Sequence, residues 1–138
     1  MISLDFGKKI PQKKKAANTH LPPIRQRFIG EIAIFIENAA WRLDSELEII
    51  CSSTSSNHKG GRYEKAANLL VGRKVVRVDI SKPALDLVIE FDGKLFLRVF
   101  CDQTNEVDNH DNYSVHMVEG IYTIGTNSQV KYLKRKMG

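Results

Sequence analysis

Residues 71–102, VGRKVVRVDISKPALDLVIEFDGKLFLRVFCD, decide the fold, because three strand patterns follow one another there with only short turns between them. Apolar residues alternate at Val76, Val78 and Ile80, then at Leu85, Leu87, Ile89 and Phe91, then at Leu95, Leu97, Val99 and Cys101. Alternation of this kind is the period of a strand with one buried face. Asp92-Gly93 joins the last two segments, and a dipeptide that accepts positive φ angles predicts a type I′ turn and a tight hairpin.

The flanks of this run continue the β pattern. Upstream, Ile32, Ile34 and Ile36 alternate, then Trp41 and Leu43, then Leu47, Ile49 and Cys51, which predicts three short strands from Phe28 onward. A Ser- and Thr-rich stretch with Gly60-Gly61 predicts a loop. Residues 62–70 carry Tyr63, Ala66, Ala67 and Leu70 at helical spacing, with Gly72 as a stop, so one helix is expected. Downstream, YSVHMVE and GIYTIGT predict two more strands, and the tail from Ser128 begins as a strand or short helix and ends frayed. Both runs around the helix read as strand, connection, strand, acidic turn, strand, which suggests two related three-strand meanders, with Trp41 equivalent to Ile89. The expected fold class is therefore α+β, a mostly antiparallel sheet with one main helix packed on it.

The chain has 138 residues, enough to bury about 68% of its unfolded surface without a disulfide or metal staple. No apolar run approaches the roughly 20 residues that span a bilayer, and the N-terminus has no apolar stretch behind its charges, so a cytoplasmic protein is expected. Cys51 and Cys101 end apolar strand patterns and read as core thiols. The net charge of +5 is unevenly spread. Residues 1–28 carry seven basic residues against Asp5, the last eight carry four more, and the body between is acidic with a net of −5. Residues 1–24, with few apolar side chains and Pro22-Pro23, are expected to form a basic extended arm, and residues 25–138 a single α+β domain.

Gly60-Gly61 follows no strand with phosphate-loop spacing, so no nucleotide site is predicted. Asp102, Glu106, Asp108, His110 and Asp111 crowd one loop, but the glycine and the twelfth-position Glu of a calcium loop are absent, and the loop reads as solvated acid. Asp86, Glu90 and Lys94 resemble a nuclease set in composition, yet Glu90 and Lys94 flank a tight turn, and the two acids read as the wet face of a strand. None of His20, His58, His110 and His116 has a recognisable catalytic setting, and no nucleophile elbow is present. No enzyme, metal or cofactor is expected.

Two binding functions remain. Lys8, Lys9, Lys13, Lys14 and Lys15 in the arm, with the basic tail, have the charge to contact phosphates, and Phe96 and Phe100 point away from the buried face, where bases stack in RNA modules. Alternatively the partner is a protein. The stretch Trp41-Arg42-Leu43, the helix ending in LVGRKV, the strand DLVIEF, the Asp92-Gly93 turn, the strand LFLRVF and Asn112-Tyr-Ser-Val resemble a pattern in small bacterial proteins of unknown function. Some of these are similar to the immunity members of toxin and immunity pairs. The resemblance covers residues 41–118 and implies a non-enzymatic protein that binds a partner, such as a cognate toxin. The acidic body agrees with it, since such pairs meet through complementary charge, while the basic ends depart from the usual acidic balance. On this reading Phe100, Asp102, Glu106, Asp108 and Asp111 are the expected partner contacts.

Overall fold

The computed structural model describes residues 2–11, 28–55, 58–103 and 110–135. They form two antiparallel five-stranded sheets and one helix. The strands are β1 (Ile2–Pro11), β2 (Phe28–Ile36), β3 (Ala40–Ser45), β4 (Ile49–Ser52), β5 (Val75–Ser81), β6 (Asp86–Phe91), β7 (Leu95–Phe100), β8 (Asp111–Met117), β9 (Gly120–Gly125) and β10 (Val130–Lys134). The helix, α1 (Arg62–Leu70), lies between β4 and β5 in the chain. Sheet A runs β1-β2-β8-β9-β10 and sheet B runs β4-β3-β7-β6-β5.

Register decides which residues are buried, since opposed residues of an antiparallel pair share a face. In sheet B, Trp41 pairs with Val99 and Val99 with Leu87, while Leu43 pairs with Leu97 and Leu97 with Ile89. In sheet A, Leu4 pairs with Ile34 and Ile34 with Val115. These apolar rows face each other to form the core. Phe6 of β1 stacks on Phe91 of β6, ring centres 6.1 Å apart, and the Tyr113 hydroxyl donates to the Leu85 carbonyl at 2.9 Å, so both ends of the interface are pinned. The helix contributes Ala66 to the core, and Tyr63 meets Trp41 edge to face at 5.5 Å. Gly72 ends it with φ +81°.

The α+β class, the antiparallel pairing and the three central strands agree with the sequence pattern, and the predicted helix lies at residues 62–70. Several details differ. The hairpin between β6 and β7 puts its positive φ angles at Gly93 and Lys94, not at Asp92-Gly93, because Phe91 pairs directly with Leu95 and leaves a three-residue loop. Leu85 belongs to the turn before β6, with φ 66°, and Leu47 stands in the β3–β4 turn at 95% exposure. The two runs are not equivalent units: β5, β6 and β7 share one sheet, whereas β2 lies in sheet A and β3 and β4 in sheet B. A meander pattern is set by neighbours in sequence, but three residues between Ile36 and Ala40 suffice to turn the chain from one layer to the other. The first ten residues after Met1, read as part of the arm, pair along their length with β2. Residues 12–24, the rest of that arm, residues 25–27 and the end of the tail lie outside the described residues.

Candidate interaction surface

The outward face of sheet B carries the side chains that alternate with the core rows. Arg42 is paired directly with Arg98, and Asp44 with Phe96. Two guanidiniums opposed across strands repel, and the Asp44 carboxylate lies between them. Arg42 Nε donates to Asp44 Oδ2 at 2.8 Å and Arg98 Nε to the same oxygen at 3.1 Å. Asp44 is 8% exposed, so its burial is compensated by charged partners on both sides. Each arginine also covers an aromatic ring: Arg42 lies 5.5 Å from the centre of Phe100, and Arg98 lies 5.1 Å from that of Phe96. The outward phenylalanines are therefore roofed by arginines, and the helix packs toward β4 and Trp41.

Phe100 remains 41% exposed at the end of β7, where the chain enters the acidic loop. The stem of that loop is fixed by Asn112, which is fully buried. Its Nδ2 donates to the Asp102 carbonyl at 3.1 Å, its Oδ1 accepts from the Asp102 N–H at 2.9 Å, and its own carbonyl accepts from the Glu37 N–H. Asp86 Oδ1 accepts from the Cys101 N–H at 2.7 Å and closes the other side. These bonds leave Asp102 and Asp111 exposed at the two ends of a hydrogen-bonded stem. Of the predicted partner contacts, Phe100, Asp102 and Asp111 are thus gathered at one end of the molecule; Glu106 and Asp108 lie outside the described residues. Lys8 and Lys9 stand on β1, at the edge of sheet A, and Lys13, Lys14 and Lys15 lie outside the described residues.

The remaining chemical candidates are placed as follows. Asp86 and Glu90 occupy the same face of β6 four residues apart, about 13 Å along a strand, which is too far to share a metal ion. Among the described residues no three His, Cys, Asp or Glu side chains gather as metal ligands. His116 sits against the Phe35 ring at 4.6 Å and shares a 3.1 Å hydrogen bond with Ser114 Oγ; burial, helped by the nearby Arg135 charge, lowers its pKa. Cys51 is buried, and Cys101 is half-buried with its thiol donating to the Leu85 carbonyl. Burial first, and then the Asp86 charge, push the Cys101 pKa up to about 11. It remains a thiol at neutral pH.

The Arg42–Asp44–Arg98 clasp is absent from the sequence reading. Arg42 and Asp44 are two apart on one strand, so a shared face was legible, but Arg98 joins them only through the β3–β7 register. An apolar crevice of about 780 Å³ between β1, α1 and sheet B, lined by Leu4, Phe6, Trp41, Tyr63 and Leu70, was equally hidden. It depends on β1 crossing toward the helix.

The fold and this surface define an α+β protein of two antiparallel sheets, with a charged, aromatic outer face beside an acidic loop. No family model, curated protein sequence or solved structure matches the chain. No helix among the described residues is long and apolar enough to cross a membrane.

Proposed function

We propose that this protein is a non-enzymatic binding module whose partner is another protein, in the manner of an immunity protein that neutralises a cognate toxin. The observation that supports this reading is Phe100: a large ring held by Arg42, partly open to solvent, next to a stem whose carboxylates Asp102 and Asp111 are exposed. An aromatic anchor with a charged rim is the composition of a protein interface centre, and the carboxylates suit a basic partner surface. The arginines of the outer face are already engaged by Asp44, which leaves that face less suited to following a phosphate backbone.

The test is association with the product of the adjacent gene, measured by co-purification and calorimetry. Phe100→Ala and Asp111→Lys should each weaken the complex by about tenfold or more, and unchanged affinity in both would count against this surface. Titration with nonspecific RNA and DNA at two salt concentrations tests the other class of partner. Tight, steeply salt-dependent binding there would replace the proposal with nucleic-acid binding.

A further inference from the structure

β5 is the edge strand of sheet B, paired on one side with β6 and, among the described residues, with no strand on the other. Every one of its residues is exposed. Val78 pairs with Ile89 and Ile80 with Leu87, so both stand on the face that elsewhere forms the core, yet each is 53% exposed, and Val76 is 60% exposed. A long edge strand with an uncovered apolar row is a template for pairing with another chain. The edge of sheet A is different. β10 carries Lys131 and Lys134, with Arg135 directly after it, and clustered positive charge blunts an edge against its own copy.

β5 instead has a self-complementary charge pattern. Arg77 and Asp79 flank Val78 on the opposite, polar face, where they form an exposed ion pair at 2.9 Å. Two copies of β5 can meet antiparallel about a two-fold axis, and the paired residues must then share a face, so a single residue lies on the axis. With Arg77 on the axis, arginine opposes arginine. With Asp79 on it, aspartate opposes aspartate. With Val78 on it, Arg77 of each copy opposes Asp79 of the other and Val78 meets Val78, while Ile80 of each copy lies toward the bulge at Val75 and Val76 of the other. That single register joins opposite charges on one face and apolar residues on the other.

We infer that this protein forms a two-fold symmetric homodimer through antiparallel pairing of β5 with β5, centred on Val78, which joins the two B sheets into one ten-stranded sheet. The pairing sets the two apolar rows side by side and lets the existing Arg77–Asp79 pairs be shared between copies. It involves neither Phe100 nor the acidic loop, so it stands or falls separately from the proposed function.

The test is sedimentation equilibrium of the full chain over a range of concentrations, with circular dichroism as the check on folding. The wild-type protein should show a monomer–dimer equilibrium. R77D alone and D79R alone put like charges opposite each other at both ends of the pairing, and each should weaken the dimer by about tenfold or more. The double exchange R77D/D79R should restore it, and an equimolar mixture of the two single variants should form the mixed dimer. A wild-type chain that stays monomeric up to its solubility limit overturns the inference. So does a dimer that R77D and D79R leave unchanged, since its interface then lies elsewhere. A higher oligomer that survives these substitutions has the same meaning.

Discussion

Leu87 and Ile80 oppose each other on the same face of sheet B, but Leu87 is 2% exposed and Ile80 53%. The same contrast holds between Phe91, which is buried, and its partner Val75, which is exposed. Leu87 and Ile80 satisfy the same strand pattern, and Val75 reaches the face of Phe91 through the bulge between Val75 and Arg77. What separates them is the layer above: sheet A, with β1 at its edge, lies over β3, β7 and β6, with Phe6 stacked on Phe91, and among the described residues the cover stops before β5. Alternation marks a face that can be buried, and only the opposite layer buries it.

The largest expected difference between these regions is in side-chain truncation. Phe91→Ala should cost about 3–5 kcal/mol, because the ring fills space between two layers, whereas Ile80→Ala should cost less than about 1 kcal/mol in the monomer. Urea unfolding at concentrations where the chain is monomeric compares them, and equal losses would mean that β5 is covered within a single chain. Asn112→Ala should cost about 2 kcal/mol, since it strips hydrogen bonds from both backbone groups of Asp102 without opening a large apolar cavity. The same unfolding experiment reads it, and a negligible loss would show that the loop stem is held by other contacts.

A smaller gain is expected at the turn that links the covered strands. Lys94 holds φ 62°, a conformation that a side chain disfavours, so Lys94→Gly should stabilise by about 0.5–1 kcal/mol as a shift in urea midpoint. Smaller still is the pH response of His116. Its folded pKa is lowered by burial and by Arg135, so the unfolded chain takes up the proton first. Stability from this group is present above the unfolded value near 6.5 and is lost as pH falls toward the folded value. The urea midpoint should therefore drop between about pH 7.5 and pH 5.5, and His116→Gln should flatten that change. For Cys101 the sign is opposite: its thiol form is favoured by folding, so iodoacetamide at about pH 8 should label it more slowly than a free peptide thiol.

Much of the fold was legible because its signals are local. The alternating rows of β6 and β7, the helical spacing of Tyr63, Ala66 and Leu70 and the stop at Gly72 each act over a few residues. Phe100 as an outward aromatic was legible for the same reason, and Asp102 and Asp111 could be assigned to one loop. The errors came where distant segments meet. The apparent repeat failed because β2 lies in the other layer, and the burial expected of Val76, Val78 and Ile80 failed because all three are exposed, with no strand among the described residues beyond β5. The Arg42–Asp44–Arg98 clasp joins residues 54 positions apart, and no local pattern encodes that register.

By itself, then, the sequence determined the helix, the central strands with their apolar side and where the charge is concentrated, because backbone sterics, side-chain period and turn chemistry operate between near neighbours, while β1 became a strand only by pairing with β2. The tertiary structure alone decided how ten strands divide between two sheets, which apolar rows are covered, and that two arginines share one carboxylate beside Phe100. These depend on which layer lies over which, and layer packing is settled by the total apolar area removed from water across the whole chain. The open row on β5 belongs to both accounts: its pattern is written in seven consecutive residues, and its exposure is a property of the assembled fold.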